Sequence, residues 1–473
     1  MEAKSTQILR AGTISFWGAL AISFGNMAPA AGVIFTPQAM AQFTGTGVPL
    51  AFLLSMIAAF FTASSLIYFA RRFSSAGSSY AFLSLAFNKM TGFLSGWLTF
   101  FAYGLSFPAN MLVFGYFGSG LLTQAVGIHV PWAILSLIAM AIILWMVIRG
   151  LKVSARVDLV LIIVESLIVF TLALIIIIHG GAQGNTLAVF SPKRAHGGMI
   201  GILFGMLYGV GAFAGFEASI TVAEEARDRY RTIPAAILVA VLLGGLLYVV
   251  VSYAIAIGYG VHGGAQLAQA TLPLSVLAKH YVGSWMVIAI DVAGMVSSFG
   301  VSLAASNAGS RIMYAMGRDK VIFPWFGQLH PRFDTPRNAM WTLTFATAAL
   351  VLGLGIPANP YPVAFSYITA AAGLVALSIY VLANIGWMRL WWKEQNHFEM
   401  GWMKALVPPS LGALIMFVPL VTSLVPIPSW PFNLITYLTI LYAVIGVMIA
   451  WHIKLKDPDQ FSQLGYMFSS IDG

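Results

Sequence analysis

The chain has no cysteine among its 473 residues, so disulfides and thiolate metal sites are excluded, although the redox compartment stays undetermined. Charge is also scarce, since 8% of residues are charged and 59% are hydrophobic. A glycine-rich phosphate loop followed by Lys-Ser or Lys-Thr is missing, and no loop is long enough for a nucleotide-binding domain. These absences argue against ATP-driven transport by this chain alone.

The eight histidines lie in loops or near the ends of apolar segments and form no ligand pattern. We therefore expect no metal site and no bound cofactor. The N-terminus lacks the charged, short-apolar, small-residue pattern of a cleaved signal peptide, and we expect it to remain in the mature protein.

Apolar runs of about 20 residues, long enough to cross a bilayer, recur along the chain. This pattern predicts an all-α polytopic membrane protein with the lipid bilayer as its surroundings. Twelve transmembrane spans are predicted, numbered here in chain order and beginning near Thr13, Val48, Gly92, Pro131, Val157, Met199, Ile233, Ser284, Ala339, Tyr361, Leu406 and Trp430.

The net charge of +9 is distributed unevenly between the two sides of the predicted membrane protein. If the loops alternate sides, 21 of the 24 basic residues share the side of the N-terminus, and only Lys193, Arg194 and Lys279 lie opposite. The positive-inside rule then predicts an even number of spans in a plasma (inner) membrane, with both termini cytoplasmic. No nucleic-acid partner is expected, and the chain is predicted to be a monomer or a homodimer.

Span 1 is interrupted by the sequence GNMAPAAG, from Gly25 to Gly32. Backbone groups freed inside a bilayer cost several kcal/mol each unless protein or water satisfies them, so broken helices at this depth usually line a cavity. The sequence therefore predicts half of a small-molecule binding site at Gly25, Asn26, Met27, Ala28, Ala30, Ala31 and Gly32.

A second interruption is predicted in span 6. Gly201, Gly205 and Gly209 are spaced by four residues, which by itself indicates close helix packing. The following cluster YGVGAFAGF favours a break instead. It supplies the second half of the predicted site, namely Tyr208, Gly209, Phe213, Ala214 and Phe216.

Breaks in spans 1 and 6 fall at corresponding positions of two five-span halves, which is the pattern of secondary transporters with inverted repeats. An odd repeat length makes the halves antiparallel and brings the two breaks together near the membrane centre. The predicted units are a cytoplasmic N-terminus at 1–12, repeats at 13–180 and 199–390, spans 11 and 12 at 405–453, and a cytoplasmic tail at 454–473.

Three sequence blocks resemble the amino acid, polyamine and organocation permeases. They are SSAGSSYAFLSLAFNKMTGFLSGW at 74–97, GFEASITVAEEARDRYRTIPAAI at 215–237, and SRIMYAMGRDKVIFP at 310–324 followed by HPRFDTPRNA at 330–339. The resemblance covers nearly the whole chain. It implies a LeuT-like 5+5 inverted-repeat fold in which spans 1 and 6 are discontinuous and spans 11 and 12 are an appendix.

The chain departs from this family in span 1, where many relatives have a Gly-Ser-Gly type of turn. A substrate carboxylate normally meets the amides at the start of the second half-helix, where the helix dipole is positive. Ala30, Ala31 and Gly32 can supply these amides, whereas Pro29 has no N–H to donate. The departure keeps amines open as substrates beside amino acids.

Three acidic residues lie well inside the spans, and intramembrane carboxyls are candidates for function. Glu217 follows the break of span 6, where it serves either in gating and proton exchange or as an acceptor for unwound backbone. Asp291 in span 8 either attracts a substrate ammonium or binds a hydroxyl or backbone group of a neighbouring helix.

Glu165 lies nine residues beyond Arg156, which places it roughly 13 Å into the bilayer. By the resemblance, some proton-coupled relatives have a lysine near this level. Glu165 is either a proton carrier, a sodium ligand together with hydroxyls such as Ser297, Ser298 or Ser302, or a permanently protonated structural residue. We predict Glu165, Glu217, Asp291 and Ser298 as coupling or gating residues, with a proton gradient favoured over sodium.

Two further spans offer candidates. Asn110 in span 3 either contacts substrate or makes a hydrogen bond between helices. Span 10 contains Phe365, Ser366 and Tyr367, which are cavity or gate residues by family position.

The leading functional prediction is a proton-coupled permease for small amino acids or related amino compounds that works by alternating access. An amine or polyamine importer or exchanger of the same fold is the alternative, and a membrane sensor or channel is the alternative of another class. No enzymatic activity is expected, because no nucleophilic side chain is placed together with a general base on one helix face.

Overall fold

A computed structural model describes residues 12–72, 79–394, 400–425, 430–458 and 461 of the chain. The described part is built from α-helices joined by short turns, and its strand-like pairing is a single parallel bridge between Ile14 and Ala226. This confirms the predicted all-α class.

Sixteen α-helices are present in the described residues. They are α1 (Phe16–Asn26), α2 (Pro29–Thr44), α3 (Val48–Arg72), α4 (Ser79–Ala86), α5 (Lys89–Val126), α6 (Trp132–Arg149), α7 (Leu151–Ile178), α8 (Gly198–Phe213), α9 (Arg229–Tyr259), α10 (Gly264–Gln269), α11 (Pro273–Tyr281), α12 (Ser284–Arg318), α13 (Arg337–Ala358), α14 (Phe365–Lys393), α15 (Trp402–Thr422) and α16 (Phe432–Lys456).

Eleven segments of the described chain are long and apolar enough to cross a membrane, so the protein is a multi-pass membrane protein. The first segment, Phe16–Arg72, has 57 residues, about 85 Å of helix against a hydrocarbon core of about 30 Å. A 3₁₀ turn at Gly45–Gly47 divides it between α2 and α3. The predicted count of twelve spans requires that this segment cross the membrane twice, and its length of 57 residues favours two crossings. The count of twelve and the inverted repeat remain predictions.

The interrupted first span lies inside the helix bundle. Helix α1 packs against α7, α9 and α12, and α2 packs against α8, α10 and α12. Both α1 and α2 are largely buried, whereas α15 and α16 lie at the edge and leave much of their apolar surface exposed. The fold therefore encloses the backbone break of span 1 in protein, as the cost of unsatisfied backbone in a bilayer requires.

The glycines of α8 serve helix packing. A Cβ at Gly201 would meet the carbonyls of Phe43 and His196, and one at Gly205 or Gly209 would meet Thr44 or Ser55. The predicted interruption from Tyr208 is therefore too long. Tyr208 and Gly209 lie within regular helix. The glycines spaced by four residues serve instead to let α8 approach α2 and α3 closely.

At one end of the bundle, several helices end in arginine residues. Arg72 at the end of α3 pairs with Glu394 at 3.1 Å, and Arg318 at the end of α12 pairs with Glu224 at 3.3 Å. The Arg149 guanidinium at the end of α6 lies 5.7 Å from the ring centre of Phe333. We call this the basic end of the molecule.

Candidate functional site

The break in span 1 is two residues long. Helix α1 ends at Asn26, Met27 caps it, and Ala28 adopts the left-handed conformation with φ of 55°. Helix α2 restarts at Pro29, whose fixed φ suits the first position of a helix and whose missing N–H would be unpaired there in any case. The sequence GNMAPAAG thus contains the predicted interruption, with its strain concentrated at Ala28.

The break in span 6 follows Phe213. Ala214 leaves the helical conformation with ψ of 131°, Gly215 has φ of 99°, and the chain continues as a 3₁₀ helix from Ala218 to Glu225. Gly215 is needed because a side chain is strained at this φ. Phe213 and Phe216 are fully buried on either side of the break.

The two breaks lie against each other. A Cβ on Gly215 would lie 2.5 Å from the side-chain nitrogen Nδ2 of Asn26. Because Gly215 has no side chain, the two segments can make contact there. The Ser219 amide donates to the Ser23 hydroxyl over 3.1 Å just beyond the breaks. Spans 1 and 6 are therefore in contact at their interruptions, as expected for two halves of one site.

Tyr248 of α9 joins the backbone of both broken spans. Its hydroxyl lies 2.5 Å from the Met27 carbonyl and 2.9 Å from the Ala212 carbonyl, and its one proton is donated to either oxygen. The ring packs on Gly32, where a Cβ would be 2.9 Å from the ring edge, and lies 5.1 Å from the ring of Phe213. Sequence reasoning did not identify Tyr248, because nothing near it marks a buried tyrosine as a partner of distant carbonyls.

The amides at the start of α2 face polar groups of the protein. The Ala31 amide donates to the Ser297 hydroxyl of α12 over 3.1 Å, and the Gly32 amide donates to the Ala28 carbonyl over 2.8 Å. The Glu165 carboxylate lies beside the Ala30 amide and the Ser297 hydroxyl. A carboxylate is thus present at the positive end of a half-helix, where the dipole favours negative charge.

Asp158 of α7 is a second buried acid at the break, and sequence reasoning missed it. A Cβ on Gly25 would be 2.9 Å from its carboxyl carbon, and one on Gly300 would be 2.9 Å from Oδ1. Neither carboxylate oxygen has a hydrogen-bond partner among the described residues. The seven-residue spacing to Glu165, two helical turns, was the available signal that both acids share one face of α7.

Glu217 is held by two tyrosines from different helices. The hydroxyl of Tyr103 in α5 donates to Oε1 over 2.9 Å, and that of Tyr380 in α14 donates to Oε2 over 2.8 Å. The Tyr380 oxygen also accepts from the Gly215 amide at 3.0 Å. The carboxylate therefore connects the break of span 6 to α5 and α14.

Three predicted residues lie apart from the breaks or bond within their own helices. Asn110 donates to the Ser106 carbonyl over 2.9 Å, and Ser298 donates to the Gly294 carbonyl over 2.8 Å. Asp291 accepts from Ser275 at 3.4 Å, in agreement with the alternative role as partner of a neighbouring hydroxyl. Ser297, one residue before Ser298, is the α12 hydroxyl that reaches the start of α2.

Aromatic rings cover the α2 side of the breaks. Phe35 lies 5.3 Å from Phe117 of α5, 5.5 Å from Tyr361 and 6.2 Å from Phe365 of α14, measured between ring centres. This includes Phe365, one of the predicted gate residues of span 10. Four aromatic rings therefore pack together on that side of the breaks.

The basic end is closed by ion pairs and a short backbone pairing. Arg311, fully buried, donates to Glu225 over 2.6 Å. The Ile14 amide donates to the Glu225 carbonyl over 3.0 Å. Burial raises the pKa of Asp319 to about 6, while the Arg318 guanidinium and the Tyr80 hydroxyl oppose this rise.

Within the described ranges, no group of three or more acidic or histidine side chains is arranged to hold a metal ion.

Comparison with known proteins gives one family. The family model described as "Amino acid permease" matches residues 14–451. The chain is similar to the branched-chain amino acid permease BcaP of Bacillus subtilis, with 27% identity over 79% of each chain, and to BcaP of Lactococcus lactis, with 28% identity over 77% of this chain and 79% of the relative. It is also similar to the low-affinity putrescine importer PlaP of Escherichia coli, with 24% identity over 78% of this chain and 79% of the relative.

Proposed function

Because the chain belongs to the amino acid permease family, we propose that it is a secondary active transporter that carries a small amino acid or a related amino compound in symport with protons. The observation that carries this proposal is the contact between two broken spans at Asn26 and Gly215. The transporter would reside in the plasma membrane with both termini cytoplasmic, in line with the charge distribution.

Polar groups at the breaks suit a substrate ammonium. The Asn26 Oδ1 atom is buried next to both breaks and has no hydrogen-bond partner among the described residues. A buried acceptor without a partner costs about 1 to 3 kcal/mol, and a bound ammonium would remove that cost. We propose that Asn26 and the carbonyls of the unwound segments receive the substrate amino group.

A second candidate function, amine or polyamine transport, is favoured by the two acids of α7. Glu165 already faces the Ala30 amide, where a substrate carboxylate would be expected, and Asp158 adds another carboxylate next to Gly25. Fixed carboxylates attract a substrate with additional ammonium groups and repel one with a carboxylate. The similarity to a putrescine importer agrees with this candidate.

Competition in proteoliposomes separates the two substrate classes. Uptake of labelled leucine, driven by an inward proton gradient, is measured in the presence of a hundredfold excess of unlabelled alanine, leucine or putrescine. We expect alanine and leucine to abolish uptake and putrescine to leave it unchanged. Labelled putrescine uptake that amino acids do not reduce would replace the amino acid proposal with the amine one.

The same proteoliposomes test proton coupling through Glu165. We expect Glu165→Gln to remove the stimulation of uptake by an inward proton gradient and to lower the initial rate about tenfold, because the amide cannot exchange a proton. Glu394→Gln, at a partly exposed ion pair of the basic end, is the matched control and should retain the gradient response. Full pH dependence in Glu165→Gln would reject the role of Glu165, and stimulation by sodium alone would reject proton coupling.

A further inference from the structure

A groove lies between α3 and α9 at the basic end of the molecule, outside the broken spans. Its volume is about 460 Å³, and it is lined by Ile67, Arg71, Tyr230, Arg231, Pro234, Ala235 and Leu238. Arg71 is in the last turn of α3, and Arg231 is in the first turn of α9. Because α3 ends where α9 begins, the two guanidinium groups lie at the same level of the bundle.

We propose that this groove binds an anionic phospholipid, with its phosphate between Arg71 and Arg231 and one acyl chain along α9. The proposal concerns a surface outside the transport site and does not depend on which substrate the protein carries.

The charge of the groove favours an anion. Two arginines line it, and its described lining contains no carboxylate. The acid near Arg231 is Asp228, 3.8 Å away in an exposed pair, and Asp228 also caps α9 by accepting from the Arg231 amide. An exposed pair of this kind contributes about 0 to 1 kcal/mol, so Arg231 stays available for a phosphate.

The shape of the arginine side chain supports a phosphate in particular. A guanidinium presents a planar set of donors that matches two phosphate oxygens, and such charge-assisted bonds are among the stronger hydrogen bonds in proteins. The start of α9 adds the positive end of a helix dipole close to Arg231.

An apolar strip continues from the groove along α9. Leu238 at its edge is followed at intervals of four residues by Leu242 and Leu246, whose exposed fractions are 36%, 40% and 58% respectively. Residues four apart share one helix face, so these leucines form a line that leads away from the arginines. On a bilayer-spanning helix this line faces acyl chains. A phospholipid, with its charged head and apolar tail, fits the whole surface, whereas a free phosphate fits only the arginine end.

Native mass spectrometry of the full-length, detergent-purified protein tests the proposal with dioleoylphosphatidylglycerol as the anionic probe and dioleoylphosphatidylcholine as the zwitterionic one. We expect the anionic lipid to bind at least tenfold more tightly than the zwitterionic lipid. Arg71→Gln with Arg231→Gln should reduce this affinity at least tenfold. The matched control is Arg332→Gln with Lys456→Gln, which removes the same charge from other exposed positions and should leave the affinity unchanged.

A second variant tests the apolar part while both arginines remain. Ala235→Trp places a large ring in the groove and should reduce binding of the anionic lipid to the level of the double arginine variant. Equal affinity in the two double variants, or equal affinity for the two lipids, would overturn the proposal. Binding of glycerol 3-phosphate as tight as that of the whole lipid would also overturn it, because the site would then recognise a soluble phosphate.

Discussion

At the scale of single residues, the candidate site depends on side chains that are missing as much as on those present. Gly25 and Gly300 leave room for the Asp158 carboxyl between α1 and α12, and Gly215 leaves room for Asn26. Each of these glycines lies next to a polar group of another segment. A methyl group at any of them would have to displace a buried polar side chain, which a close-packed interior resists.

Gly25→Ala is the residue-scale prediction. The new methyl would overlap the Asp158 carboxyl, and overpacking of this kind costs about 1 to 3 kcal/mol. We expect a lower melting temperature in detergent, measured by fluorescence-detected size-exclusion chromatography after heating. Gly353→Ala, on an open face of α13, is the control and should leave the melting temperature unchanged or slightly higher.

Removal of the Asp158 carboxyl group tests whether overlap with it causes the lower stability of Gly25→Ala. Asp158→Ser shortens the side chain, so Gly25→Ala should cost much less in that background than in the wild type. A double-mutant cycle measures this difference. If the two substitutions are additive, Gly25 and Asp158 are not in contact and the description of this acid at the break is wrong.

Asp158 also shows why the sequence did not predict the whole site at this scale. Asn26, Ala28 and Ala214 were predicted because local composition alone marks a helix break. The place of Asp158 depends on the rotation of α7 relative to α1 and α12, which no local pattern specifies. Its side chain is fully buried, although it lies only two residues after Arg156.

At the scale of helices, the two broken spans are held together by an unbroken one. Tyr248 of α9 reaches the Met27 carbonyl in span 1 and the Ala212 carbonyl in span 6. Both carbonyls lie where the regular i→i−4 pattern ends, so they need partners from elsewhere. The sequence predicted the two interruptions, but it overestimated the second one because glycines used for packing look like glycines used for a break.

Tyr248→Phe is the prediction at this scale. Loss of the hydroxyl removes the one donor that the Met27 and Ala212 carbonyls share, and a net hydrogen bond contributes about 0.5 to 1.5 kcal/mol. We expect the initial rate of substrate uptake in proteoliposomes to fall about tenfold while the protein still folds. Tyr253→Phe, five residues further along α9 where the ring stacks on Phe190, is the matched control.

Transport by Tyr248→Phe at the rate of the control would show that the two breaks need no common tether. A fall in both variants would assign the effect to α9 packing in general.

At the scale of the whole molecule, the two breaks lie between two packed regions. The aromatic cluster around Phe35 lies on the α2 side, and the buried pair of Glu225 and Arg311 lies at the basic end. We propose that these two regions are closures that open in turn during alternating access, which requires the free energies of the two states to differ by only a few kcal/mol. The ion pair is suited to this role, because a buried charge is stable only while its partner is present.

Opening of the basic end can be followed with one introduced thiol, since the natural chain has no cysteine. Ser219 is fully buried between the breaks and the basic end, and Ser219→Cys nearly preserves its size. Glu225→Gln would leave the Arg311 guanidinium without its anionic partner, a change that costs about 3 kcal/mol in a buried pair. We therefore expect labelling of the thiol by a water-soluble maleimide to become at least tenfold faster.

Glu394→Gln is the control for this measurement, because the pair of Glu394 with Arg72 is about one-third exposed and closes no buried route. Such exposed pairs contribute about 0 to 1 kcal/mol, so labelling of Ser219→Cys should stay at the rate of the parent. Faster labelling in both variants would mean that loss of any charge loosens the basic end. Unchanged labelling in Glu225→Gln would mean that the ion pair does not close the basic end. The closure would then lie at the pairing of Ile14 with Ala226, which holds the start of span 1 against the end of span 6.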